Sequence, residues 1–94
     1  MRRIVFTAEA EHTLGHQVGY LIDQGASVAA SALSARVEQF LAGMILAWPR
    51  TGRYIPERDL WETWIPRTRL VVWYRFTDDE LVILTFWHTA QDRA

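Results

Sequence analysis

Apolar residues recur at helical spacing twice in the first half of the chain and at strand spacing in the second half. From Ala8 to about Gln24, Leu14, Val18, Leu21 and Ile22 follow one another at intervals of four, three and one, which predicts a helix with one apolar face. Gly25 supplies its stop. Leu33, Val37, Phe40, Leu41, Met44, Ile45 and Trp48 then fall at intervals of four, three, one, three, one and three, and Pro49 ends this second helix. That stripe assigns Trp48 to the core. Ahead of both helices, Arg3 to Phe6 is a short β-prone run, and Thr7 stands where it can cap the first helix, with Glu9 and Glu11 in the first turn. The connection Gly25-Ala26-Ser27 is short enough to require an antiparallel hairpin, with Gly15 and Gly19 set to face small residues such as Ala32 and Ala35.

Residues 49 to 59 mix Pro49, Gly52 and Pro56 with charges and read as an irregular connection. Three strand-like runs follow: Leu60 to Ile65, Arg69 to Phe76 and Leu81 to His88. In the middle run Leu70, Val72, Tyr74 and Phe76 share one face, and Arg69, Val71, Trp73 and Arg75 share the other, which is expected to be the wetter one. Trp61 and Trp64 fall on opposite sides of their strand, and Trp73, flanked by Arg69 and Arg75, is the tryptophan expected to be exposed away from the helices. The last run is apolar on both faces, as in an interior strand. The order β-α-α-β-β-β predicts an α+β fold in one domain over residues 1–94. A helical hairpin packs on one face of a mostly antiparallel four-stranded sheet.

Composition narrows the chemistry. The chain has no cysteine, which excludes disulfides, thiolate zinc sites and a thiol nucleophile. No uncharged run is long enough to span a membrane and the N-terminus carries no secretory apolar region, so a cytoplasmic location without membrane partners is expected. All 10 basic residues are arginine, yet the net charge is -1, which argues against a strongly basic nucleic-acid module. Arg2, Arg3 and Arg36 lie in the first half; Arg50, Arg53, Arg58, Arg67, Arg69, Arg75 and Arg93 lie in the second.

The strand-helix-helix opening, the turn Trp48-Pro49-Arg50-Thr51-Gly52-Arg53, the Ile65-Pro66 step before Arg69-Leu70-Val71-Val72-Trp73-Tyr74-Arg75, and the close from Ile83-Leu84 to His88 resemble the RelE/ParE superfamily of toxins. The resemblance covers nearly the whole chain. It implies a growth-arresting toxin of a type II toxin-antitoxin system, of the kind tied to plasmid stabilization. A cognate antitoxin encoded beside it would neutralise it in a toxin-antitoxin hetero-oligomer. RelE-like members cut mRNA on the ribosome, whereas ParE-like members inhibit DNA gyrase without doing chemistry themselves. Near-neutral charge and the lack of lysine favour the second mode, with DNA gyrase as target and the ribosome and mRNA as the alternative.

Under the ribonuclease alternative, phosphate binding and leaving-group protonation fall to Arg69, Arg75 and His88, which could converge if His88 ends the strand beside theirs. The basic and aromatic residues that follow the histidine in RelE-like enzymes are replaced by Thr89, Ala90 and Gln91, so the catalytic set is incomplete. Under the binding mode, Arg53, Trp61, Trp73 and Arg93 are the candidates for contact with target or antitoxin. His12 and His16 are four apart but lack a third ligand, and Asp78, Asp79 and Glu80 read as a solvated hairpin turn. No metal or cofactor is expected.

Overall fold

The structure, a computed structural model, describes residues 2–90. Its elements in chain order are β1 (Arg3–Phe6), α1 (Ala8–Asp23), α2 (Ser27–Phe40), a π-helical turn (Leu41–Ile45), a 3-10 turn (Pro49–Thr51), β2 (Arg53–Ile55), β3 (Leu60–Trp64), β4 (Leu70–Phe76) and β5 (Glu80–His88). The five strands form one sheet in the order β1-β5-β4-β3-β2, and all neighbours are antiparallel except β1 with β5. The α+β class and the helical hairpin on one sheet face are as the sequence predicts. The strand count is corrected from four to five, because the connection over residues 49 to 59 contains β2. Three residues are too few to show an alternation; pairing of Tyr54 with Trp61 makes the strand.

Local chemistry sets the helix ends. The Thr7 hydroxyl accepts from Ala10 N at 3.0 Å and so satisfies one of the orphan donors at the start of α1. At the other end Gly25 takes φ 77°, a left-handed conformation suited to glycine. There Gly25 N donates to Ile22 O and Ala26 N to Leu21 O, which closes α1 and turns the chain into α2. Gly15 and Gly19 do not mediate a close helix contact, since a Cβ built at either meets nothing within 4 Å.

The main core lies between the hairpin and the sheet. Val37, Leu41, Ile45, Leu70, Val72, Tyr74, Leu81, Ile83 and Phe86 are each at most 2% exposed, and Ile4, Phe6, Leu14 and Leu33 pack against them. A second cluster of Leu60, Val71 and Trp73, supported by Ile55, Leu84 and Trp87, covers the sheet face away from the helices. This face is therefore apolar at its centre; Arg75 stands on it exposed, whereas Arg69, expected on the same face, precedes β4 and lines a hollow with residues of α1 and α2. Trp73 is 9% exposed, correcting its expected exposure: it stacks edge-on with Trp87 at 6.1 Å and lies under the Arg58 guanidinium at 5.0 Å.

Two local irregularities redirect side chains. Leu46 N donates to Leu41 O, a five-residue step, so the π-helical turn inserts one residue into the helical repeat. Residues after it are rotated off the stripe, and Trp48, expected in the core, is 67% exposed. In the sheet, Trp73 pairs with Thr85 but Tyr74 pairs with Ile83, which leaves Leu84 as an extra residue in β5. The strand's inside-outside alternation reverses at that point.

Where β1 ends, threonines take over its pairing with β5. The Thr7 hydroxyl donates to Leu84 O at 2.7 Å, and Phe86 N donates to the Thr13 hydroxyl at 3.0 Å. Helix α1 thereby satisfies backbone groups of β5 that no strand reaches.

Candidate functional site

The β5 bulge decides which sequence candidates meet. Arg75 pairs with Val82 before it, on the face away from the helices, whereas His88 pairs with Leu70 beyond it, on the helix face. Simple alternation would have put His88 on the same face as Val82 and Arg75. Five residues of β4 separate the Leu70 and Arg75 positions, roughly 17 Å along the strand. The structure does not bring Arg75 and His88 together.

Arg69 and His88 do share a concavity. Gln17, Tyr20 and Leu21 of α1, Leu33 of α2, and Thr68, Arg69, Leu70 and His88 line a pocket of about 230 Å³. Thr89 N donates to Arg69 O at 2.9 Å, which holds the strand ends together there, and Ala90 N donates to His88 Nδ1 at 3.0 Å. With that nitrogen as acceptor, a neutral His88 ring carries its proton on Nε2. The floor of Leu21, Leu33 and Leu70 is apolar, so one arginine and one histidine at an apolar hollow form a recognition site more readily than an acid-base pair around a phosphate.

Arg75 and Arg53 belong to a polar lattice over β2, β3 and β4. Arg75 Nε donates to Asp59 O at 2.6 Å and its Nη2 to Arg58 O at 3.2 Å, bracing the β2–β3 turn where Asp59 takes φ 51°. The Tyr54 hydroxyl donates to Asp59 Oδ1 at 2.7 Å, and that bond to a carboxylate raises the phenol's pKa above its ordinary value. Glu62 joins two candidates: Arg53 Nη2 approaches its Oε1 at 2.9 Å, and Trp73 Nε1 donates to its Oε2 at 2.7 Å. These side chains brace the sheet.

On the helix face of β3, Trp61 stands between Tyr54 and Phe76, with ring centroids at 5.4 and 5.5 Å. Arg2 and Arg50 lie over Phe76 at 5.4 and 5.6 Å. Arg93 lies outside the described residues. His12 and His16 sit on the exposed side of α1, and Thr77 to Asp79 form the β4–β5 turn, where the Thr77 hydroxyl accepts from Asp79 N and Glu80 N at 3.2 and 3.1 Å. Among the described residues no group of three or more His, Asp or Glu is placed to hold a metal ion. No described helix is long and apolar enough to cross a membrane. The sequence reading missed Trp48 as a surface residue; the π-helical turn that exposes it has no signature in the residue pattern.

These features define a small α+β protein with an open hollow beside His88. The same fold occurs in a solved structure described as the chromosomal ParDE TA system from P. aeruginosa. A chain of that structure superposes with a TM-score of 0.78, covering 94% of this chain and 96% of that one at 13% identity. At that identity the likeness is one of fold, and it is the fold that the RelE/ParE resemblance implies. No protein-family model matches the sequence, and no curated protein matches it.

Proposed function

We propose that this chain is the toxin of a type II toxin-antitoxin system and acts as a ParE-like inhibitor of DNA gyrase, held inactive in the cytoplasm by a cognate antitoxin. The observation that carries the reading is the separation of Arg75 from Arg69 and His88 within a fold shared almost end to end with a chain of a ParDE system. Ribonuclease chemistry needs a base, an acid and phosphate-binding cations around one atom. Here one candidate cation braces a turn on the far face. A net charge of -1 also suits a protein target better than ribosomal RNA.

Purified protein added to gyrase and plasmid is expected to block supercoiling or trap cleaved DNA. Gyrase that works normally at large molar excess of the chain would remove the proposal. The ribosome-dependent ribonuclease remains a second reading because Arg69 and His88 line one pocket. It requires that His88→Ala and Arg69→Ala each abolish both growth arrest and mRNA cleavage on programmed ribosomes. Arrest that survives both substitutions excludes it.

A further inference from the structure

Where the helical hairpin hands the chain over to the sheet, two guanidiniums stand on one ring. Arg2, just ahead of β1, and Arg50, in the 3-10 turn, lie over Phe76 at 5.4 and 5.6 Å from its centroid. Neither is in an ion pair, for those among the described residues join Arg3 to Glu80 and Arg53 to Glu62. Two like charges so placed repel each other, and no anion of the described chain offsets the repulsion. Arg2 is pinned as well as charged. Its Nε donates to Thr77 O at 2.7 Å and its Nη1 to Leu46 O at 3.4 Å. Both acceptors are neutral carbonyls, so these bonds fix the guanidinium without cancelling its charge, and the Nη2 donors remain unspent. Arg50 is exposed and makes no hydrogen bond to the described residues.

The two arginines line a hollow of about 390 Å³ together with Ala47, Trp48, Pro49 and Thr51. Trp48, 67% exposed, contributes an indole, and Thr51 a hydroxyl. Local bonds set this wall in advance: Trp48 N donates to Met44 O at 2.8 Å, and Thr51 N to Trp48 O at 3.0 Å. Each part answers to one part of a nucleotide. Two guanidiniums with unspent N–H groups suit a phosphate, which carries up to two charges and accepts several hydrogen bonds at once. A flat, exposed indole suits a base, whose face stacks on tryptophan whichever base it is. The volume falls within the range of small-molecule sites, roughly 300–1,000 Å³. We propose that this hollow is a mononucleotide site, with the phosphates held by Arg2 and Arg50 and the base laid on Trp48. A peptide carboxylate fits less well, because it brings a single charge to two cations and nothing flat to the indole. The site shares no residue with the hollow beside His88, and the inference is independent of the toxin reading.

The test titrates isotope-labelled full-length protein with adenosine 5′-diphosphate, with adenosine and with inorganic phosphate, followed by NMR. The diphosphate is expected to shift the Trp48 indole resonance and the amides of Ala47, Trp48, Arg50 and Thr51, and to bind at least tenfold more tightly than either fragment. Arg50→Gln should weaken binding of the diphosphate at least tenfold and leave adenosine binding as it was, whereas Trp48→Ala should weaken both. The inference is overturned if millimolar diphosphate produces no shifts, if the shifts map elsewhere, or if Arg50→Gln binds it as tightly as the parent. Adenosine or inorganic phosphate binding as tightly as the diphosphate overturns it too. So does a single-stranded oligonucleotide that binds more tightly at the same resonances, since the occupant is then a strand. Nucleotide binding by a chain that leaves gyrase and growth untouched would sink the toxin reading and keep this site; gyrase inhibition by a chain that binds no nucleotide would do the reverse.

Discussion

Replacing Tyr74 by phenylalanine removes one oxygen that ties the sheet to the turn leaving the helical hairpin. Tyr74 is fully buried, its hydroxyl donates to Pro49 O, and it accepts from Gly52 N at 3.2 Å. The substitution keeps the ring packing and strands both backbone groups, one of them in a residue that is itself buried. A net hydrogen bond contributes about 1 kcal/mol and an orphaned buried group costs about 1–3 kcal/mol, so a loss of about 2 kcal/mol is expected. For a domain of this length that is a fall in Tm of about 8–16 °C, read by thermal or urea unfolding. Alkaline pH supplies an independent check. Burial raises the Tyr74 pKa above its ordinary 10.0, although the Gly52 N–H lowers it in part. A phenol harder to ionise in the folded state contributes stability that is intact below pH 10.0 and is lost as pH rises through the raised pKa. Tyr74→Phe should abolish that share of the alkaline loss, while the share due to Tyr54 persists. A variant within about 0.5 kcal/mol of the parent, with an unchanged alkaline limb, would refute the role of this hydroxyl.

Four further substitutions test other joints. Gly52→Ala should destabilise by about 1–3 kcal/mol in urea titration, since its Cβ would lie 2.7 Å from Glu62 O and would clash with the Tyr74 hydroxyl. Gly15→Ala should stabilise by about 0.5–1 kcal/mol, because the site is open and α1 gains a better helix former. Thr13→Val should cost about 1–2 kcal/mol and speed hydrogen exchange at the Phe86 amide, which would lose its acceptor. Arg75→Met should lower stability by about 1 kcal/mol and loosen the β2–β3 turn in hydrogen exchange, while growth arrest by the folded variant is unchanged.

The elements governed by local chemistry were legible in the sequence. Thr7 caps α1 with its own hydroxyl, Gly25 ends it through a left-handed turn, and the alternation of Leu70, Val72 and Tyr74 set the inward face of β4. Features that depend on one inserted residue were not legible. The π-helical turn and the β5 bulge each occur inside a mostly apolar run, where Leu41 to Ile45 and Leu81 to Trp87 read equally well in regular geometry. Regular geometry consequently puts Trp48 in the core and allows His88 to meet Arg75. The burial of Trp73 was hidden for another reason: its cover comes from Trp87, Glu62 and Arg58, on segments far from it in the chain.

The placement of the arginines separates two kinds of surface and bears on what the protein can do. Arg75 and Arg53 are engaged with carbonyls or a carboxylate, and Arg58 is stacked on Trp73; recruiting them to a phosphate means breaking bonds that hold β2 and β3 in place. Each such charge-assisted bond is worth about 1.5–3 kcal/mol where shielded and less at the surface, so the exchange yields little net binding. Arg36 and Arg67 carry no such obligation, whereas Arg2 donates to Thr77 O at 2.7 Å and to Leu46 O at 3.4 Å and, like Arg50, rests on the Phe76 ring. The described arginines that make neither such a bond nor a ring contact lie in two places: Arg36 and Arg67 beside Phe40 and Met44, and Arg69 beside His88.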